Sequence, residues 1–322
     1  MAIWLSEPDV RALLPLPELI DAIEHALAAF SVRNATQPVR TVIGIPGGVL
    51  ACMPGLLKPQ GALGAKLVTV CPENLARGLA SHLATIVLLD PDTGQLLAMM
   101  DGRYITEMRT AAASAVAVRY LAREDSERLA IIGSGVQAAS HLQSLSLVRS
   151  FREISCWSRT RANLEKFVES WSGGPYPVRA AHSAQEAMES ADVIALVAAG
   201  SEPVIRDAWV KPGACIVAVG ACRPNEKELQ PALVARARLF VDSREGAFQE
   251  SGDILEALNT GQITRDHILG ELGEVVTDRR LGRLDPNDIT IFKSLGMAVE
   301  DLAAAQLVYQ RARHTGRGVE LD

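Results

Sequence analysis

Three cations and one glycine turn carry the chemistry that this chain displays in its residue types. Lys66 interrupts the apolar run Ala65-Lys66-Leu67-Val68, where an ammonium group is costly unless a counter-charge or a bound anion meets it. Arg40 opens a β-like stretch behind Pro38. Arg109 is expected in the first turn of an alanine-rich helix, where the helix dipole gives no reason for a positive charge. Each alone reads as a surface charge, but two arginines and a lysine brought together would clamp a carboxylate. The backbone signal lies further on. Leu129-Ala130-Ile131-Ile132 suits a strand buried on both faces, and Gly133-Ser134-Gly135-Val136-Gln137-Ala138 follows at once in the order G-x-G-x-x-A, opening a helical run. Gly133 permits a tight turn, Gly135 lets backbone approach a pyrophosphate, and Ala138 lets the helix lie close to the strand. The first N–H groups of that helix, at Val136 and Gln137, are offered to phosphate. A second strand-like run, Glu153 to Trp157, arrives at βαβ spacing, so the turn reads as a dinucleotide site.

After such a second strand, a chain that prefers NAD usually carries Asp or Glu for the ribose 2′-hydroxyl. Here Ser158-Arg159-Thr160-Arg161 stands in that place. With no acid there, Ser158, Arg159 and Thr160 suit a 2′-phosphate, and NADPH is the expected cofactor, with NADH possible. Gly220 begins Gly220-Ala221-Cys222-Arg223-Pro224 directly after the strand-like Cys215 to Val219, at the carboxyl edge where α/β sites form. Ser81-His82, ahead of the run Ala84 to Leu89, offers a candidate proton donor. No metal site is expected, because five cysteines with no C-x-x-C pair fit neither a zinc site nor a disulfide framework.

The elements that must position these groups follow from periodicity. Glu18 to Val32 has helical spacing; Arg40 to Ile45, Val49 to Met53, Gly64 to Val70 and Ala84 to Leu89 read as strands of an antiparallel region; Thr106 to Arg123 reads as a helix with Thr106 as its cap. Beyond the glycine turn, strand-like runs at Ile154 to Trp157, Val193 to Val197, Cys215 to Val219 and Leu239 to Val241 alternate with helical stretches, as in a Rossmann-like domain of about 110 to 290. Asp253 to Leu258 and Ile268 to Leu272 read as short helices, Asp288 to Phe292 as a last strand, and Gly296 to Ala312 as a helix returning to the N-terminal domain. The fold class is therefore α/β, a Rossmann-like dinucleotide-binding domain with an α+β partner. At 322 residues and 48% hydrophobic composition, two domains with sizeable cores are expected. A net charge of −6 without a basic segment argues against nucleic acid. No run is apolar enough to span a membrane, and Met1 to Glu7 has no secretory character, so a cytoplasmic location is expected.

Four stretches together resemble a known family over nearly the whole chain. They are Gly64-Ala65-Lys66-Leu67-Val68, the segment from Asp101-Gly102 to Arg109-Thr110-Ala111-Ala112, the turn Ile131 to Ala138, and Phe292-Lys293-Ser294-Leu295-Gly296-Met297-Ala298-Val299-Glu300-Asp301. The chain resembles the ornithine cyclodeaminase and mu-crystallin family, which includes an archaeal-type alanine dehydrogenase and reductases of cyclic imino acids. The resemblance implies a homodimer. It also implies a substrate-binding and dimerisation domain of residues 1–110 with 294–322, a nucleotide-binding domain of 111–293, and substrate held between them. Arg40, Lys66 and Arg109 match carboxylate-binding positions, Ser81 joins the substrate side, and Lys293, Ser294 and Leu295 match a segment close to the nicotinamide. Cyclodeaminases resemble one another in an aspartate two residues beyond the glycine matching Gly220, where this chain has Cys222. Ser81-His82, Trp157-Ser158-Arg159-Thr160 and Cys222-Arg223-Pro224 resemble the mu-crystallin and imine reductase branch instead. The implied activity is NADPH-preferring reduction of a cyclic ketimine, Δ1-pyrroline-2-carboxylate or Δ1-piperideine-2-carboxylate, with His82 or Lys66 holding the imine proton. Ornithine cyclodeaminase, alanine dehydrogenase and a mu-crystallin-like small-ligand binding protein are the rival expectations.

Overall fold

A computed structural model describes residues 1–198 and 200–321. The chain begins with β1 (Ala2–Leu5), α1 (Glu7–Leu13) and α2 (Leu16–Ser31), whose buried stripe is Leu19, Ile20, Ile23, Ala26 and Leu27. It continues through β2 (Ala35–Thr36), β3 (Thr41–Ile45), β4 (Gly48–Leu57), β5 (Ala62–Val70), β6 (His82–Leu89) and β7 (Leu96–Asp101) into α3 (Arg103–Leu121). Then come β8 (Arg128–Ile132), α4 (Val136–Ser146), β9 (Glu153–Trp157), α5 (Arg161–Ser170), β10 (Val178–Ala180), α6 (Ala184–Met188), β11 (Val193–Leu196) and β12 (Cys215–Ala218). The rest is α7 (Pro231–Arg236), β13 (Arg238–Val241), α8 (Arg244–Glu250), α9 (Gly252–Asn259), β14 (Ile268–Glu271), α10 (Leu272–Val276), β15 (Thr290–Lys293), α11 (Ala298–Thr315) and β16 (Val319–Leu321). The fold is mixed α/β and divides into two compact units, Met1–Arg109 with Gly296–Asp322, and Thr110–Leu295.

In the first unit the strand order is β16-β1-β7-β6-β5-β4-β2, with β3 on β4. The strands expected between Arg40 and Leu89 pair antiparallel throughout, and β1, which runs parallel to β7, makes the whole sheet mixed. One face is buried along β5 at Ala62, Gly64, Lys66 and Val68, and α11 packs on it. The helix lies close: Gly55 and Gly64 are cross-strand neighbours, and a Cβ on either would come within 3.2 Å of Leu302. α3 starts earlier than Thr106. Asp101 Oδ1 accepts from the Arg103 N–H at 2.9 Å, while the Thr106 hydroxyl donates back to the Gly102 carbonyl at 2.8 Å instead of capping. Arg109 therefore lies in the second helical turn, not the first.

The second unit is a Rossmann-type sheet in the order β10-β9-β8-β11-β12-β15-β13-β14, parallel throughout. Its central strands are buried on both faces, which is why Leu129–Ile132, Val193–Leu196 and Cys215–Ala218 read as unbroken apolar runs. Ile268–Glu271 is a strand paired with β13, and helix begins only at Leu272. A short apolar run carries no decisive period, and pairing with a neighbouring strand decided this one.

Candidate active site

Each unit contains one concentration of the groups singled out above. In the first, Lys66 lies mid-way along β5, opposite Met53 of β4 and Ile86 of β6, with its side chain only 2% exposed. Its Nζ meets Asp301 Oδ2 at 2.7 Å. The other oxygen of Asp301 accepts from Arg109 Nε at 3.0 Å, and Glu300 Oε2 accepts from Arg109 Nη1 at 2.8 Å. Both acids are fully buried in the first turn of α11, where the helix dipole favours negative charge. Gly296, just ahead of that helix, has φ +83°, and a Cβ there would lie 2.5 Å from Arg109 Nη1. Its carbonyl accepts from Arg40 Nη2 at 2.9 Å. The structure thus brings Arg40, Lys66 and Arg109 together around one short segment.

The electrostatics follow from burial. Desolvation pushes the Lys66 ammonium down to about 8; Asp301 opposes that fall, and the Arg109 and Arg40 cations add to it. Burial works against the Arg109 charge too, but Asp301 and Glu300 outweigh it and hold its value above the ordinary one. Lys66 and Arg109 are thus held by the two buried acids, and Arg40 by the Gly296 carbonyl. Ser81 and His82 lie apart from this cluster. His82 is exposed at the start of β6 opposite Val70, with Ser81 Oγ 3.1 Å from its Nδ1. It shares the sheet face of Lys66, yet four residues separate it from Ile86, roughly 13 Å along the strand.

In the second unit a pocket of about 230 Å³ opens at the carboxyl ends of β8 and β9. Gly133, Ser134, Gly135, Ser158, Arg159 and Thr160 line it, with Trp157, Asn163, Val197, Ala198 and Val204. Gly133 has φ +130°, and a Cβ there would be within 3.1 Å of the Val197 backbone, so the tight turn requires glycine. A Cβ on Gly135 would meet nothing within 4 Å, which leaves the backbone open to a ligand. Gly135 caps α4, so the Val136 and Gln137 N–H groups have no acceptor within the helix. Ala138 is buried, as close helix–strand packing needs. No carboxylate lines the pocket among the described residues. These features fit a dinucleotide: the turn and helix start would hold the pyrophosphate, and Ser158, Arg159 and Thr160 the adenosine ribose side.

Lys293, Ser294, Leu295 and Gly220 fall outside that lining. Lys293 is fully buried, its Nζ 2.9 Å from Asp253 Oδ2 and 3.5 Å from Glu228 Oε2. Burial pushes the Glu228 carboxyl up to about 8, with Lys293 drawing it back and Asp253 adding to the rise. Lys293 is therefore a buried counter-charge, and its ammonium faces two acids. The Leu295 N–H donates to Asp242 Oδ2 at 2.6 Å and the Ser294 N–H to the Ala218 carbonyl at 3.0 Å, so this segment is anchored through its backbone. Gly220 donates to the Leu196 carbonyl at 3.2 Å, and Ala221 N–H to Glu228 Oε2 at 3.0 Å. Sequence reasoning assigned no role to Glu300, Asp301, Glu228, Asp253 or Asp242. Only the Glu300-Asp301 pair, at the start of a helix, left any signal.

The chain matches the ornithine cyclodeaminase/mu-crystallin family over residues 2–316. This chain belongs to that family. It is 46% identical over 296 residues to ketimine reductase mu-crystallin of Rattus norvegicus, covering 90% of this chain and 91% of the rat protein. The structure of Thermococcus litoralis Δ(1)-pyrroline-2-carboxylate reductase in complex with NADH and L-proline superposes with a TM-score of 0.96 and 38% identity, over 99% of this chain and 100% of that one. An archaeal alanine dehydrogenase dimer with bound NAD gives a TM-score of 0.95 and 31% identity, over 100% of this chain and 99% of the other. As a member of the ornithine cyclodeaminase/mu-crystallin family with this Rossmann-type unit, the chain is an NAD(P)H-dependent oxidoreductase.

Proposed function

We propose that this chain is an NADPH-preferring reductase of cyclic ketimines, converting Δ1-pyrroline-2-carboxylate or Δ1-piperideine-2-carboxylate to L-proline or L-pipecolate. The observation that carries this reading is the convergence of half-buried Arg40 with buried Lys66 and Arg109 at the Gly296 to Asp301 segment, three cationic donors suited to one substrate carboxylate. Relatives named as ketimine and Δ(1)-pyrroline-2-carboxylate reductases support it. Arg109 is held by two acids and presents its guanidinium as a fixed donor, so its orientation costs little on binding. With its pyrophosphate held at the 133–138 turn, the reduced dinucleotide would supply hydride for the C=N carbon. The imine nitrogen then needs one proton, and a protonated side chain at the site must provide it. Preference for NADPH rests on Arg159 in the pocket and on the lack of a carboxylate there among the described residues.

Cys222 argues against ornithine cyclisation. The δ-ammonium of ornithine must lose a proton before it can attack, and position 222 offers no carboxylate to take that proton or to hold the ammonium. A closed-ring ketimine makes neither demand. Two further proposals complete the reading. A cytoplasmic location fits five free cysteines, and a homodimer fits the open apolar face of the first unit's sheet, where Ile43, Leu67 and Leu83 are 57%, 43% and 44% exposed.

The test is a spectrophotometric panel on the purified protein. NADPH oxidation with the pyrroline or piperideine carboxylate is expected, with no ammonia released from L-ornithine and NAD, and little turnover of pyruvate plus ammonia. Ornithine or pyruvate turnover at a comparable rate would overturn the substrate assignment. Absence of NADPH oxidation with either ketimine would likewise overturn it.

A further inference from the structure

We infer that Asp301 is the positioning residue for Lys66: it holds the Lys66 ammonium as the proton source for the imine nitrogen, while its second oxygen fixes Arg109 for the substrate carboxylate. This rests on the ketimine reductase reading. The geometry places Lys66 Nζ 2.7 Å from one Asp301 oxygen and Arg109 Nε 3.0 Å from the other, with Asp301 fully buried. The charged groups facing Lys66 come from every element packed against it. α11 supplies Asp301 and, across Arg109, Glu300; α3 supplies Arg109; the segment ahead of β3 supplies Arg40; β4 and β6 bring the apolar partners Met53 and Ile86. Desolvation and both arginines press Lys66 to lose its proton, and Asp301 is the acid in contact that keeps it. His82 is exposed and roughly 13 Å further along the sheet, so Lys66 is the proton source nearer the clamp.

The step balances. Hydride adds to the C=N carbon, the π pair of that bond becomes the bond from nitrogen to the proton leaving Lys66 Nζ, and the product is the ring amine. Lys66 is left neutral beside Asp301 and regains a proton from water.

The experiment is the pH profile of kcat/KM, which reports groups of the free enzyme. In the wild type, activity is expected to fall through an alkaline limb near the Lys66 value of about 8. Asp301→Asn removes the group that raises that value, so the limb should move to lower pH by about one unit or more, with kcat at pH 7 reduced about tenfold or more. Asp301→Glu should restore part of both. Lys66→Arg keeps the charge without a dissociable proton, and should lose kcat together with the limb. Titration of the substrate imine is common to all variants, so only the difference between them counts. An unmoved limb in Asp301→Asn, or wild-type kcat in Lys66→Arg, overturns the inference. Should Asp301→Asn fail to fold, NMR titration of ¹³Cε-lysine in the wild type decides: one resonance, missing from Lys66→Arg, should titrate near 8, and a Lys66 signal at the ordinary 10.5 overturns it. Absence of ketimine turnover by the wild type would refute the reductase reading instead, while the NMR titration reports on the Lys66–Asp301 pair with no substrate present.

Discussion

Lys66 and Arg159 are both proposed to hold anions, and their surroundings give them different work. Lys66 is enclosed, so its charge depends on the acid beside it, and small changes in that acid act on its proton. Arg159 is exposed at the edge of the nucleotide pocket, where it can meet a phosphate only when one arrives. A charge-assisted bond of this kind contributes about 1.5–3 kcal/mol, which corresponds to roughly tenfold to a hundredfold in affinity. Arg159→Ala is accordingly expected to raise KM for NADPH by at least about tenfold and to leave KM for NADH nearly unchanged. Initial rates with both nucleotides at fixed ketimine check this, and equal losses for the two would contradict a 2′-phosphate contact.

At the scale of elements, the stretch from β15 to α11 supplies a member of a buried charge cluster in each unit. β15 ends in Lys293, which pairs with Asp253 at 2.9 Å and lies 3.5 Å from Glu228, and Glu228 in turn accepts from the Ala221 N–H. A few residues later α11 opens with the acids that hold Lys66 and Arg109. Lys293→Met tests the first half of this arrangement. It leaves buried Asp253 without its cation, and breaking a buried pair in this way costs about 3–5 kcal/mol. Urea unfolding at pH 7 should show the midpoint fall with little change in slope. A midpoint within error of the wild type would mean that Lys293 does not stabilise this unit.

For the whole molecule, the first unit's sheet has one face packed by α11 and one face left apolar. Cross-strand register puts Ile43, Leu50, Cys52, Leu63, Ala65, Leu67, Leu83 and Val87 on the second face, each half-buried or exposed. A monomer seldom leaves so continuous an apolar sheet face in water, and a second copy is the proposed cover. Light scattering on the eluted protein should give about twice the chain mass of 34.5 kDa. Leu67→Glu, which places a charge at the centre of that face, should shift the mass to that of one chain. A wild-type protein that elutes as a monomer at micromolar concentration would rule the dimer out.

The parallel sheet and the glycine turn were legible because they are local. A strand buried on both faces needs a continuous apolar run, and a turn that brings backbone to phosphate needs small residues at set positions, so neighbours in sequence suffice to write both. Lys66 was conspicuous for a similar reason, since one ammonium in an apolar strand demands an explanation. Its explanation was not local. Asp301 lies at the far end of the chain and meets Arg109 across 192 residues, and no periodicity links those positions. Lys293 carries the same lesson: its acid partners Glu228 and Asp253 lie 65 and 40 residues before it in the chain, and only folding brought them to its ammonium. Ile268–Glu271 became a strand because β13 offered it a ladder, and α3 began at Arg103 because Asp101 could accept its N–H. Sequence by itself determined the period of each segment and the chemistry of the turn. Tertiary structure decided which buried charges are paired, because only the packed chain removes water and leaves each ion to the partner that folding supplies.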